Sequence, residues 1–297
     1  MRKLLYASAA ILALSAGAAS ARTILFIGNS FTMGSGSPVH TYQSNTVHDL
    51  NPPNDRGQTL GGVAAIFKEF TKEAGLDYDV SIEAVGGRNF DFHYNEKLAV
   101  IDRAWDDVVM QSYSQLNKDK PGDPAIVVDY GARLDKVFHV KNPNVHVWFN
   151  ATWSRADYSS PEIAPWKGKP IDHMAKDVYA GFEKARAASP DVVGIIPVGL
   201  AWNRAWATGV ADSDPTDGIG AGKLNLWTYD SQHGSSAGYI LASLVIFGQL
   251  TGRDPLSLGD REHVAMDLGL SGAQMHSLEQ VAHDELAAHG VALTAMK

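Results

Sequence analysis

The sequence predicts an α/β protein: a three-layer α/β/α sandwich built around a five-stranded parallel sheet of flavodoxin-like order. Two observations carry this. Five short runs of largely apolar residues alternate along the chain with segments whose apolar residues have helical spacing. Strands buried on both faces read as continuous apolar runs, the pattern of a parallel sheet covered by helices on each side. Right-handed crossovers between such strands give the layered sandwich, and five strands suit the order 2-1-3-4-5. No internal repeat, low-complexity tract or charge block interrupts the alternation.

The elements follow in order. Residues 23–28 (TILFIG) form the first strand. Residues 61–74 are helical, with Val63, Ile66, Phe67 and Phe70 on one face. The second strand is 78–85, followed by a helix at 96–105 and a third strand at 107–111. A helix at 130–140 leads to the fourth strand, 144–150, which Pro143 precedes. A helix at 174–188, the fifth strand at 192–198, and helices at 235–250 and 273–288 complete the chain. Residues 33–58 and 207–229 are rich in Gly, Pro, Asn, Asp and Ser and read as loops. Loops of that length in a compact domain are usually functional or disordered.

The first residues are not expected to belong to the fold. Arg2 and Lys3 precede an Ala- and Leu-rich stretch that ends in Ala19-Ser20-Ala21. This is a secretory signal, too short and too weakly flanked for a stable membrane insertion. Residues 1–21 are therefore expected to be removed, with 22–297 forming a single exported domain, periplasmic or extracellular. The net charge of −8 becomes more negative once Arg2 and Lys3 are lost, and no Lys/Arg run is present. That argues against nucleic acid and anionic membrane surfaces as partners. The absence of cysteine excludes disulfides, thiolate metal sites and cysteine nucleophiles.

In open α/β sheets, ligands gather outside the carboxyl ends of the strands. Here those ends carry Gly28-Asn29-Ser30, Gly86-Gly87, Gln111-Ser112 and Asn150. Ser30 sits just past an apolar strand, where a turn exposes its hydroxyl at the rim; a helix-capping serine is the plainer use. A serine nucleophile needs an adjacent base, oriented by a third group, and donors for the oxyanion. Asp230 and His233, three residues apart before an apolar helix, can share one face of a turn. Gly87 can bring a backbone N–H close to a reacting carbonyl, and Gln111 can supply a side-chain amide.

In this order, these residues resemble the SGNH (GDSL-like) hydrolase superfamily. Ile27-Gly28-Asn29-Ser30-Phe31 stands for its first block, Gly87 for its second, and Asp230-x-x-His233, with Ser236, Gly238 and Tyr239 following, for its fifth. Two departures are present: Asn29 replaces the Asp of the first block, and Gln111 stands where the third block has Asn. Gly-Asn-Ser-Phe with Gln resembles a subset of the superfamily. The resemblance spans roughly residues 23 to 250. It implies a serine esterase with Ser30 as nucleophile, His233 as base and Asp230 as its orienter. Ser30, Gly87 and Gln111 would form the oxyanion hole, with no metal and no cofactor.

Asn29, Trp153, Arg155 and Trp202 are further candidates for substrate binding. Aromatic residues near a site often stack on sugar rings, so a carbohydrate O-acetyl or other small ester is the expected substrate, and a small-molecule or glycan ester the expected partner. Two alternatives stand beside this. One is a non-catalytic glycan-binding module; the other is a metal-dependent hydrolase using His40, His48 and His93. Asp212, Asp214, Asp217 and Gly218 miss the register of a calcium loop and read as an acidic surface loop.

Overall fold

In the computed structural model, residues 20–259 and 262–296 are described; the signal-like segment lies almost wholly outside them. Six parallel strands form one sheet: β1 (Arg22–Gly28), β2 (His48–Asp49), β3 (Tyr78–Ala84), β4 (Asp107–Met110), β5 (His146–Asn150) and β6 (Gly194–Ile196). Their spatial order is β2-β3-β1-β4-β5-β6. The five anticipated strands thus lie in the 2-1-3-4-5 order, and the expected count of five is corrected to six. The extra strand lies inside the 33–58 segment. His48 and Asp49 pair with Ser81 and Ile82 through backbone alone, so no apolar run marks the strand. A very short edge strand also offers little template for unwanted pairing.

Side chains alternate between the faces of a strand, and β1 shows why both faces are apolar. Ile24 and Phe26 enter one core, with Val80, Ile82 and Val109. Leu25 and Ile27 enter the other, with Val108, Met110, Val147 and Phe149. The helices are α1 (Gly62–Glu73), α2 (Phe90–Glu96), α3 (Leu98–Ile101), α4 (Ala125–Lys141), α5 (Asp172–Ala188), α6 (Val198–Ala207), α7 (Ser236–Thr251), α8 (His263–Asp267) and α9 (Gly272–Ala288). Residues of α1, α6, α7, α8 and α9 pack into the first core, and those of α2 to α5 into the second.

Helix α7 is buried from Ala237 to Gly248 because α9 covers its outer side, which is why its sequence is apolar all round. Ser235 caps it, accepting from the Gly238 N–H at 3.2 Å. Of the expected helix at 96–105, only Glu96, the last residue of α2, and Leu98–Ile101 (α3) are helical. Asn89 caps a helix that starts at Phe90, and Asp106 is held to β1 by accepting from the Thr23 N–H and hydroxyl. The fifth strand is also shorter than expected, because Pro197 stops it and opens α6. Among the described residues no helix is long and apolar enough to cross a membrane.

Candidate active site

Strand β1 delivers Ser30 to the rim of the sheet. The Gly28 carbonyl accepts from the Val85 N–H at 3.0 Å, tying the ends of β1 and β3 together. The turn closes with Met33 N–H to Asn29 O at 2.9 Å and Ser35 N–H to Ser30 O at 3.0 Å. A Cβ at position 28 would collide with Thr32 Oγ1 and Gln111 Oε1, so glycine is required there. Among the described residues, the backbone N–H groups of Ser30, Gly86 and Gly87 have no acceptor. Such uncommitted donors at a strand end are what an oxyanion site needs.

The second component is the turn before α7. Asp230 Oδ2 lies 2.6 Å from His233 Nδ1. Its other oxygen accepts from the Thr228 hydroxyl at 2.8 Å and from the Gln232 and His233 N–H groups at 2.9 Å. Partial burial pushes the Asp230 carboxyl up, but the His233 ring, these two amides and the Thr228 hydroxyl outweigh it and bring it to about 2. A carboxylate on Nδ1 keeps the proton there and leaves Nε2 as the acceptor. His233 Nε2 is buried and without a hydrogen-bond partner. Ser231 is left-handed, with φ 56°. A non-glycine residue in that region stores strain, a frequent feature of functional turns.

The two components meet. The His233 ring lies against Phe31, the residue after Ser30, with centroids 5.4 Å apart. The Tyr239 hydroxyl donates to Ser35 O at 3.1 Å and reaches Ser30 O at 3.5 Å. No hydrogen bond joins the Ser30 hydroxyl to His233 Nε2; in unliganded sites this bond is often long. Trp153 Nε1 donates to Gln232 O at 3.0 Å, and Ala156 N–H to Ser231 O at 2.7 Å, so the chain after β5 holds the His turn in place.

Other candidate residues have different work from that expected. Gln111 is 1 % exposed. Its Oε1 accepts from the Asn29 N–H at 3.0 Å and the Thr32 hydroxyl at 2.9 Å, while its NH2 donates to Ser112 O. Both partners fix the amide's orientation, and they make Gln111 a strut of the Ser30 turn instead of an oxyanion donor. Asn29 is likewise buried, donating to Arg88 O at 3.0 Å and Ser112 O at 3.1 Å. An Asp there has no hydrogens for those two carbonyls, which accounts for Asn at this position and corrects its expected role in substrate binding.

Trp153 and Trp202 are 2 % and 0 % exposed and stack at 4.4 Å, so they are the floor of the site and no platform for substrate. Arg155 is 3 % exposed and is spent on Asp157 and Glu162, which follow it in the chain, and on Gln115 from the segment after β4; its substrate-binding role is corrected too. Gly87 lies in the left-handed region with open space about it.

The three histidines are separately engaged, His40 with Met33 O, His48 of strand β2 with Asp79, and His93 of helix α2 with Glu83. Asp212 and Asp214 accept from backbone groups of their own loop. Among the described residues, the group able to hold a metal is Glu69, Glu73 and His263. It lies two to three turns along α1 from the Ser30 turn, and Lys72 already bonds Glu69.

Thr228 and Ser231 are further residues of this turn that the sequence reading does not single out. Thr228, two before the Asp of an Asp-x-x-His turn, had a readable signal. The left-handed Ser231 had none.

No family model matches this chain, and no curated protein does. Solved structures do match. One is a DUF4886 family protein from Bacteroides uniformis, at a TM-score of 0.58 and 14% identity, covering 93% of this chain and 98% of that one. Another is a protein described as a GDSL-like lipase from Parabacteroides merdae, at a TM-score of 0.51 and 15% identity, covering 78% and 95%. At such identities the likeness is one of fold: this chain shares the α/β architecture of these structures.

Proposed function

We propose that this chain is an exported serine ester hydrolase acting on small esters, carbohydrate O-acetyl groups among them. The observation that carries the proposal is the Asp230–His233 pair at 2.6 Å, its ring packed on Phe31 and its Nε2 left as a buried, unpartnered acceptor. The Ser30 hydroxyl gives its proton to that nitrogen as its oxygen bonds to the ester carbonyl carbon. The N–H groups of Ser30 and Gly87 receive the oxyanion. Collapse of the tetrahedral intermediate breaks the bond to the alcohol, which takes the proton from His233. Water, deprotonated by the same ring, then releases the acid from Ser30. Asp230 stays ionised throughout and stabilises the imidazolium.

The test is turnover of 4-nitrophenyl acetate and of acetylated monosaccharides by wild type, Ser30→Ala and His233→Ala, with and without chelator. Loss of at least about 10³-fold in both variants, with wild type indifferent to chelator, is the expected result. Turnover that survives Ser30→Ala would remove the proposal.

A further inference from the structure

A cavity of about 310 Å³ opens beside the Ser30 turn. It is walled by Met33, Pro52, Leu60, Ala84 and Val85, with the Gly86 backbone at its edge. Val85 donates to the carbonyl of Gly28, two residues before Ser30, and Met33 closes the Ser30 turn. The cavity is therefore part of the same rim as the nucleophile.

Its position relative to the base decides what it can hold. The sheet order places β2 and β3 on one side of β1, and β4 and β5 on the other. The His233 turn is fixed by residues that follow β5. The cavity is built from β2, β3 and the segments next to them. The leaving alcohol must lie next to His233 to take its proton. The other substituent of the carbonyl carbon, the acyl chain, then points the opposite way, past Gly86 and Gly87 toward the cavity.

The cavity's polar groups are already paired with one another. Lys97 Nζ donates to Asn51 Oδ1 at 2.7 Å, and Asp49 accepts from the Asn51 and Leu60 N–H groups at 3.0 and 2.9 Å. His40 Nδ1 bonds Met33 O at 3.1 Å. What is offered to a ligand is largely the aliphatic surface of Met33, Pro52, Leu60 and Val85. A water's share of liquid is about 30 Å³, so the space suits an acyl group of several carbons and is far larger than an acetyl methyl.

Resting on the esterase reading, we infer that this cavity is the acyl subsite and that the enzyme prefers apolar acyl groups of about six carbons over acetyl. The experiment is a series of 4-nitrophenyl esters from acetate through butyrate and hexanoate to octanoate, with benzoate, on wild type and two variants. The ratio kcat/KM rises at least tenfold from acetate to hexanoate in wild type. Gln58→Trp, which fills the exposed mouth, lowers hexanoate turnover at least tenfold and leaves acetate within threefold. Met33→Ala moves the preference to longer chains.

A flat profile, a preference for acetate, or equal losses on both esters in Gln58→Trp overturns the inference while leaving the esterase reading intact. If wild type cleaves no ester, that reading fails instead. The subsite is then scored by calorimetric binding of hexanoate and acetate to Ser30→Ala: tenfold tighter hexanoate supports it, and equal or absent binding overturns it.

Discussion

Replacing Gln111 with leucine separates two roles that the sequence alone leaves merged. As an oxyanion donor, Gln111 would contribute to the rate; as a strut, it contributes to stability. Gln111→Leu keeps the approximate volume, so the cavity it leaves is small. It removes the acceptor of two buried donors, the Asn29 N–H and the Thr32 hydroxyl. Each orphaned buried donor costs about 1–3 kcal/mol. The Thr32 hydroxyl can rotate to soften its share, while the Asn29 N–H cannot. The expected loss is roughly 2–4 kcal/mol, a large part of the typical 5–15 kcal/mol of a folded domain.

Urea unfolding of wild type, Gln111→Leu, Thr32→Val and the double variant measures it. The double variant should recover about 1 kcal/mol, because Thr32→Val deletes one of the stranded donors. Turnover of the still-folded single variant should fall by about tenfold or less, against the 10²–10³ expected on losing an oxyanion donor. An unchanged unfolding midpoint with a 10²–10³ loss in kcat would refute the strut and restore the oxyanion role.

Further predictions concern the Asp–His turn. Thr228→Val removes a donor from Asp230 and so raises that carboxyl from about 2; kcat should fall, and the acid limb of its pH profile should move up. Because the folded Asp230 lies below its ordinary 3.8, the stability it confers is present above pH 3.8 and lost as pH falls toward 2. For a partly exposed group that contribution is at most ~2 kcal/mol, and urea midpoints between pH 5 and pH 2 read it. Ser231→Gly should keep full activity and Ser231→Val should lose about 1–3 kcal/mol, since a β-branched residue resists φ 56°; thermal melts compare them. Trp153→Phe removes the bond to Gln232 O, and should lower kcat by up to about 10²-fold with KM little changed, as for a displaced base.

What could be read from the sequence was whatever local pattern encodes. The TILFIG run became β1 because both faces of that strand are buried, and Asp230-x-x-His233 became a bonded pair because three residues span one turn. Side-chain direction was not legible. Trp153 and Trp202 stand after strands in both a rim and a core reading; only the helix α6, which begins at Pro197's exit from β6, turns Trp202 inward to stack on Trp153. Arg155 looked free because its partners Glu162 and Gln115 come from other segments. Gln111 was placed at the correct strand end, but its direction depends on Asn29 and Thr32, about eighty residues earlier. His48 and Asp49 form an edge strand through backbone alone, which side-chain patterning does not report.

In the proposed reaction everything follows from the activation of Ser30 by His233. Labelling with a fluorophosphonate, followed by peptide mass mapping, tests this directly. One adduct per chain, on the Ser30 peptide and strongly slowed in His233→Ala, is the predicted result. An adduct on another serine, or ester turnover that continues in protein left unlabelled at Ser30, would contradict it.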